Sequence, residues 1–153
     1  MKKMKSEILI TKKFKNEFKG KIITNEALLL NEKLFEIRAL WDTGATFSSI
    51  SKELAEKIQL SPKGIYQIHS ANDSKFSNGY DICLVINKDA NYVFDLVVTV
   101  NDNLHNMGID MLIGMDVIRQ GDFAISTYNG ETCFSFRVPS KGFIDFKEQE
   151  QEN

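Results

Sequence analysis

Hydrophobic residues along this chain mostly alternate with polar ones or stand in short continuous runs, which is the pattern of β-strands. Polar clusters at residues 31–33, 87–91 and 128–131 separate apolar segments and predict hairpin turns, the last of them around an Asn-Gly pair. The pattern therefore predicts an all-β domain of mainly antiparallel strands with one or two short helices. The apolar segments are Ile22–Ile23, Ala27–Leu30, Leu34–Trp41, Ile82–Ile86, Val93–Val100, Met111–Ile113, Phe123–Ile125 and Cys133–Val138.

Two short segments have the spacing of helices rather than strands. The longer one runs from Lys52 to about Gln59, with Ser51 as a suitable N-cap and Pro62 as a stop signal. The second covers one or two turns from Met115 to Gln120, and we expect Gly121 to end it in a left-handed conformation.

Composition narrows the class of protein without naming a function. A chain of 153 residues predicts one domain, and its 42% hydrophobic and 26% charged residues are ordinary for a globular protein. The net charge of -2 gives no reason to expect nucleic acid or a membrane as a partner. Apolar runs are too short for a membrane helix or a signal peptide. Cys83 and Cys133 lie in apolar, strand-like surroundings, which predicts two buried free thiols rather than a disulfide. These features predict a cytoplasmic protein.

Charge is unevenly distributed between the ends of the chain. Eight lysines fall within the first 21 residues, and Glu148, Glu150 and Glu152 lie near the end. We interpret both ends as solvated tails, with a nucleic-acid-binding basic arm as the alternative. The predicted division is a basic segment at 1–20 that forms a strand or tail, a folded domain at 21–139, and an acidic tail at 140–153.

The candidate chemistry begins at Asp42-Thr43-Gly44, directly after the apolar segment that ends at Trp41. A carboxylate at the end of a buried strand is costly unless it is paired or hydrogen-bonded. The triplet alone fits two interpretations equally well. Asp42 is either a catalytic acid or a structural residue that caps its own turn through the following amides.

Two later segments favour the catalytic interpretation. An apolar strand from Ile109 runs into Gly114 and then a short helix, and a glycine there lets another backbone approach closely. Between this strand and Asp42 lies a predicted hairpin with arms at 66–70 and 78–81 and a polar tip at 71–74.

With these segments the chain resembles the retropepsin-like aspartic proteases. The resemblance rests on residues 39–46, 71–74 and 110–118, and the closing segment at 121–139 is most similar to the bacterial branch of that family. It implies a single-domain acid-protease barrel that hydrolyses peptide bonds in protein or peptide substrates. It also implies roles for individual residues: Asp42 in catalysis, Thr43 and Gly44 as support for the active site, and Ala45, Ala71, Asn72, Asp73, Ile113 and Gly114 in substrate binding. Within this last group, Ala71, Asn72 and Asp73 correspond to the flap tip, and Ile113 and Gly114 correspond to the strand that packs behind the catalytic turn.

Two positions differ from the family pattern. Asp73 stands where relatives usually have glycine at the tip of the flap, and Thr46 stands where some viral members have a second aspartate that binds the substrate main chain. Both differences bear on which substrates are preferred rather than on the chemistry.

The chain contains one Asp-Thr-Gly and therefore one half of an aspartic-protease site. Two adjacent carboxylates share one proton because both cannot ionise cheaply, and the pair can then activate a water molecule. We therefore expect a symmetric homodimer that joins the Asp42 side chains of two subunits, with no metal or cofactor.

Other polar and aromatic residues have simpler interpretations. His69 and His105 lack the spacing of metal ligands, so we expect them at the surface. Trp41 is expected to pack beneath the Asp42 turn, and Asp110 and Asp116 to stabilise a turn and a helix start.

Three functions follow in order of support. The first is a homodimeric aspartic endopeptidase, and the second is a protease-like module that binds peptides without cleaving them. A nucleic-acid-associated β domain is the third, and it depends on the lysines alone.

Overall fold

The structure is a computed structural model that describes residues 7–15, 20–88 and 93–151. Its strands are β1 (Ile8–Lys15), β2 (Ile22–Leu30), β3 (Lys33–Trp41), β4 (Ser49–Ile50), β5 (Gly64–His69), β6 (Ser74–Val85), β7 (Val93–Val100), β8 (Met111–Ile113), β9 (Asp122–Tyr128) and β10 (Glu131–Val138). Its helices are α1 (Lys52–Lys57), α2 (Met115–Ile118) and α3 (Phe146–Gln151), and a 3-10 turn spans His105–Met107.

Six strands close into a barrel, which confirms the predicted all-β class. The hydrogen-bonded order is β2-β3-β8-β4-β7-β6, and β6 pairs back onto β2 from Ala27↔Val85 to Leu29↔Cys83. Strand β5 adds to the far part of β6, from Gly64↔Gly79 to His69↔Ser74, and forms the predicted hairpin. The barrel therefore carries one two-stranded arm beyond its closed part.

A separate sheet with the order β1-β10-β9 packs against the barrel. Trp41 of β3 meets Phe134 and Phe136 of β10, with ring centroids 5.1 Å and 4.9 Å apart. Both phenylalanines are fully buried. Because Trp41 directly precedes Asp42, this aromatic cluster supports the strand end that carries the candidate carboxylate, as the sequence predicted.

Residues 8–15 of the lysine-rich start form a strand, which is one of the two forms expected for the basic segment and not the solvated tail of our first interpretation. Strand β1 pairs with β10 along its whole length, from Ile8↔Val138 to Lys15↔Glu131. Ile8 is buried, and the Lys12 ammonium donates a hydrogen bond to the carbonyl oxygen of Ile23 at 2.7 Å. Lysines 2, 3, 5 and 19 lie outside the described residues, and the division of the chain at 20 and 139 stays a prediction.

Hairpin turns form where the sequence predicted them. Asn129 and Gly130 adopt φ values of 48° and 77°, the left-handed pair that a tight hairpin between twisted strands requires. Asn31 and Glu32 do the same between β2 and β3, with φ values of 49° and 63°. The connection from β6 to β7 passes through left-handed Asn87, and residues 89–92 of it lie outside the described part.

Gly121 has a different role from the predicted one. The φ angle of Gly121 is not positive, unlike the φ angles of Gly108 and Gly130, so Gly121 does not adopt a left-handed conformation after α2. A Cβ at Gly121 would lie 1.9 Å from the carbonyl oxygen of Arg137. Glycine is therefore needed here because the backbone of β10 passes directly beside it, and the left-handed cap was a wrong prediction.

The C-terminal segment contains a helix that the sequence pattern did not predict. Helix α3 is exposed throughout, and the Asp145 carboxylate accepts a hydrogen bond from the Lys147 amide at 2.9 Å at its start. No helix among the described residues has the length and apolar character needed to cross a membrane.

The two thiols are free, as predicted, but each is half-buried rather than fully buried. The Cys83 Sγ donates to the Asp95 carboxylate at 2.8 Å. This hydrogen bond, together with burial, raises the pKa of the Cys83 thiol to about 11. The thiol is therefore kept protonated and is a poor nucleophile at neutral pH.

Removal of the Ser51 cap is expected to destabilise the domain modestly. The Ser51 hydroxyl accepts a hydrogen bond from the Leu54 amide at 3.1 Å, as the sequence predicted, and the residue is buried. We expect Ser51→Ala to lower the free energy of unfolding by about 1 kcal/mol, measured by urea denaturation. Ser61→Ala, in the exposed loop after α1, serves as control, and equal values for the two variants would contradict this role of the cap.

Candidate active site

Asp42 directly follows β3, a strand of the barrel with a neighbouring strand on each side. Strand β3 pairs with β2 on one side and runs parallel to β8 on the other, with Trp41 opposite Ile113. The Asp42 amide continues this ladder by donating to the Ile113 carbonyl oxygen at 2.9 Å. The carboxylate therefore emerges from a part of the backbone that is fixed on both sides.

The turn after β3 orients the Asp42 carboxylate. Its Oδ1 atom accepts a hydrogen bond from the Gly44 amide at 2.8 Å, and the Ala45 amide donates to the Asp42 carbonyl oxygen at 3.3 Å. A Cβ at Gly44 would lie 3.1 Å from Oδ1, so a larger residue would crowd the carboxylate. Asp42 is half-buried while Gly44 is exposed, which leaves the turn accessible from one side.

Gly114 allows a second segment to pack directly behind this turn, as the sequence predicted. A Cβ at Gly114 would lie 2.8 Å from the carbonyl oxygen of Ala45 and from the carbonyl carbon of Phe47. The Met115 amide donates to the Ala45 carbonyl oxygen at 2.8 Å. Residues 42–45 and 113–114, both named as candidates from sequence, are thus in direct contact.

Asp116 binds the end of the Asp42 loop, a connection that sequence reasoning missed. Its Oδ2 accepts from the Ser48 amide at 2.9 Å, and its Oδ1 accepts from the Ser48 hydroxyl at 2.7 Å. Asp116 also accepts from the Val117 amide at 3.0 Å, which is the predicted helix-start role. Asp110 accepts from the Arg38 amide at 2.8 Å and is structural, as predicted.

The predicted flap tip forms the turn between β5 and β6. The Ser70 amide donates to the Asp73 carbonyl oxygen at 2.8 Å, and the Ser74 amide donates to the Asp73 carboxylate at 2.7 Å. Ala71, Asn72 and Asp73 are exposed. Among the described residues, the hydrogen bonds of this tip are made to other residues of the same hairpin. None of them joins the tip to the Asp42 turn of the same chain.

Two exposed residues accompany Asp42 on the open side of the turn. Thr43 is exposed, and Phe47 leaves 69% of its surface accessible. Single exposed apolar side chains are common on protein surfaces, and Phe76 and Tyr128 are still more exposed, so the exposure of Phe47 does not by itself mark a contact. Sequence reasoning did not identify Phe47, because a lone aromatic in a loop carries no periodic signal.

Other predicted features lie where the sequence suggested. The Trp41 indole donates to the Thr24 hydroxyl at 2.9 Å and is buried below the turn. His69 and His105 are exposed, and His105 lies 3.9 Å from the Glu53 carboxylate. Across residues 7–15, 20–88 and 93–151, no cluster of three histidine, cysteine or acidic side chains could hold a metal ion.

Comparison with known proteins gives one family. The family described as "gag-polyprotein putative aspartyl protease" matches residues 28–120, which include the Asp42 turn, the hairpin and the Gly114 segment. The match covers more than half of the chain. No curated protein matches the chain significantly.

Solved structures give a similar fold at low sequence identity. A retropepsin-like aspartic protease from Rickettsia conorii is 19% identical, with a TM-score of 0.53, and the alignment covers 86% of this chain and 95% of that one. The retroviral protease-like domain of Ddi1 from Leishmania major is 14% identical, with a TM-score of 0.42 and coverage of 73% and 93%. The first of these likenesses supports the barrel described above.

Proposed function

The chain belongs to the retropepsin-like aspartic protease family, and on this basis we propose that it is an aspartic endopeptidase that works as a homodimer. The observation that carries this proposal is the Asp42 carboxylate. It stands at the end of a barrel strand and accepts a hydrogen bond from Gly44 on the accessible side of its turn.

The dimer follows from the number of catalytic groups. One chain supplies one Asp-Thr-Gly, whereas the reaction requires two carboxyl groups. A two-fold axis beside Asp42 provides the second, because symmetry presents the same turn from both subunits. Exposed Thr43 is suitably placed beside Asp42 to brace the pair across that axis.

The reaction uses the unequal ionisation of the two Asp42 side chains. At a separation of about 3 Å, two carboxyl groups hold one proton between them, the case for which aspartic proteases are the standard example. The ionised Asp42 takes a proton from a water molecule as that water attacks the scissile carbonyl carbon. The protonated Asp42 gives its proton to the carbonyl oxygen, which forms a tetrahedral diol. The carboxyl that took the water proton then donates it to the amide nitrogen as the C–N bond breaks, and the other carboxylate recovers a proton from a hydroxyl of the diol.

Backbone groups around Asp42 are proposed to hold the substrate. Gly44 and Ala45 leave main-chain atoms accessible beside the carboxylate, while Ile113 and Gly114 fix the floor of the turn. The hairpin tip at Ala71, Asn72 and Asp73 is proposed to close over an extended peptide. A peptide fits such a site because it can exchange main-chain hydrogen bonds with strand-like backbone.

A peptide library tests this function at several protein concentrations. We expect cleavage that is strongest at acid to neutral pH, and a specific activity that rises with protein concentration in parallel with the dimer fraction from sedimentation. Both follow because the monomer holds half a site. A stable dimer that cleaves nothing in the library would instead support a peptide-binding module without catalysis.

A further inference from the structure

We propose that Ser48 and Asp116 form a positioning pair that sets the Asp42 turn in its catalytic geometry. This inference rests on the proposed function and identifies residues that act on Asp42 through the backbone. Ser48 lies at the end of the loop that starts at Asp42, and Asp116 lies in α2, 68 positions further along the chain.

The pair supplies all the side-chain hydrogen bonds between the two segments. Three backbone bonds join residues 42–48 to 113–116, namely Asp42 N to Ile113 O, Met115 N to Ala45 O and Asp116 N to Thr46 O, at 2.9, 2.8 and 3.2 Å. Three further bonds pass through Ser48. Its amide and hydroxyl donate to Asp116 at 2.9 and 2.7 Å, and its Oγ accepts from the Gly114 amide at 3.0 Å.

The direction of these bonds explains why an ionised carboxylate suits position 116. A carboxylate only accepts hydrogen bonds, so it draws the Ser48 hydroxyl proton towards itself. The Ser48 Oγ lone pairs are then free to accept from the buried Gly114 amide. Ser48 is only 1% exposed, so water does not readily replace either bond.

The pair acts on Asp42 because both ends of its loop are fixed to the same few residues. The Asp42 amide is bound to Ile113 at one end, and Ser48 is bound to Gly114 and Asp116 at the other. Gly114 has backbone atoms of Ala45 and Phe47 within 2.9 Å of its would-be Cβ, so the segments have no room to slide. Loosening the Ser48 end therefore lets the turn tilt and changes the separation of the two carboxylates in the dimer.

Asp116→Asn and Ser48→Ala test the pair in the full-length dimer. Asparagine keeps an acceptor for the hydroxyl but turns an NH₂ donor towards the Ser48 amide, and alanine leaves the Gly114 amide without its acceptor. We expect each change to lower kcat about 10- to 100-fold with KM within about twofold, since a small misplacement of reacting groups costs this much. The double variant is expected to lose less activity than the product of the two single losses, because the two residues share the Ser48 hydroxyl bond.

A pH profile and matched controls separate positioning from general stability. The separation of the carboxylates sets the difference between their two apparent pKa values, so the width of the bell-shaped profile of kcat is expected to change in Ser48→Ala. Ser48→Thr keeps the hydroxyl and is expected to keep the wild-type profile. Asp110→Asn, which disturbs a similar carboxylate-to-amide bond at the start of β8, is expected to lower thermal stability comparably without changing the profile.

The possible outcomes distinguish this inference from the proposed function. Active wild-type protein with an unchanged kcat and pH profile in both Ser48→Ala and Asp116→Asn would overturn the positioning role and leave the protease intact. Additive losses in the double variant, or an equal loss in Asp110→Asn, would also overturn it. Wild-type protein without peptide cleavage would overturn the proposed function and this inference together.

Discussion

Asp42→Asn is expected to reduce peptide cleavage at least about a thousandfold while the dimer persists. The substitution changes both carboxyl groups of the proposed homodimer into neutral amides, which can neither take the proton of the attacking water nor supply one to the carbonyl oxygen. Asparagine keeps an oxygen that can accept from Gly44, as Asp42 does at 2.8 Å, so the turn retains its shape. Peptide cleavage and sedimentation of the variant measure the two expectations separately.

Mixing the variant with wild-type subunits tests whether both carboxylates are needed. With random exchange of equal amounts, a quarter of the dimers contain two wild-type subunits, so we expect roughly a quarter of the activity of wild-type protein at the same total concentration. Asp95→Asn is a matched control. Asp95 pairs with Cys83 close to the turn between β2 and β3, whereas Asp42 follows the opposite end of β3. Cleavage that survives in Asp42→Asn, or a mixture with half the activity, would contradict the shared site.

Much of the fold could be predicted because hairpins and helix caps are specified locally. The left-handed Asn129 and Gly130, the Ser51 cap and the apolar segments of β2, β3, β6 and β7 each depend on residues close together in sequence. Turn and cap preferences of this kind do not depend on which distant segments pack against them. The closure of the barrel through β2 and β6 was expected from the class of fold rather than from any local pattern.

The missed elements depend on distant partners. Strand β4 has only Ser49 and Ile50, too short for any periodicity, and exists because it fits between β7 and β8. Strand β1 reads as a basic tail, and its structure depends on the apolar face of β10. Gly121 was assigned to a helix end because the backbone of Arg137, which passes beside it, is invisible from the neighbouring sequence.

The residues of the candidate site also fall into two groups, those that the local sequence identifies and those that depend on distant partners. Asp42, Gly44 and Gly114 were identified because a strand followed by glycine is a recognisable arrangement, and their mutual contact was expected. Asp116 was interpreted only as a helix-start acid, since the sequence does not show that Ser48 folds back to it. Buried hydrogen bonds between remote residues depend on the tertiary fold, which local patterns do not encode.

The second prediction with a large effect concerns Glu26, whose ionisation is expected to lower the free energy of unfolding as the pH rises. It follows the inward alternation of Thr24 and Leu28 along β2 and is only 3% exposed. Its Oε1 accepts from the Asn87 amide at 3.4 Å, and its Oε2 has no hydrogen-bond partner in the described part of the chain. Burial raises the pKa of Glu26 to about 7 against the opposing effects of the Asn87 amide and the Lys12 charge.

The raised pKa fixes the sign of the pH dependence. Below pH 4.5 the carboxyl is protonated in both folded and unfolded chains, so the folded state carries no penalty. Between 4.5 and about 7 the unfolded chain releases the proton first, so the free energy of unfolding falls as the pH rises. The full loss is about 3 kcal/mol at roughly 1.4 kcal/mol per pKa unit, and it persists at higher pH.

Glu26→Gln removes this loss because glutamine stays neutral at every pH. We expect the variant to exceed the wild type by about 1–3 kcal/mol at pH 8, after allowing for a buried amide without a full set of partners. The advantage should vanish at pH 4, as measured by urea denaturation. Glu36→Gln is the control on the adjoining strand, since the Lys88 ammonium lowers the pKa of the exposed Glu36 carboxyl and its removal gives no gain at pH 8. Parallel stability curves for Glu26→Gln and the wild type would mean that Glu26 stays ionised in the folded chain, compensated by groups that β1 and the β6–β7 connection bring to it.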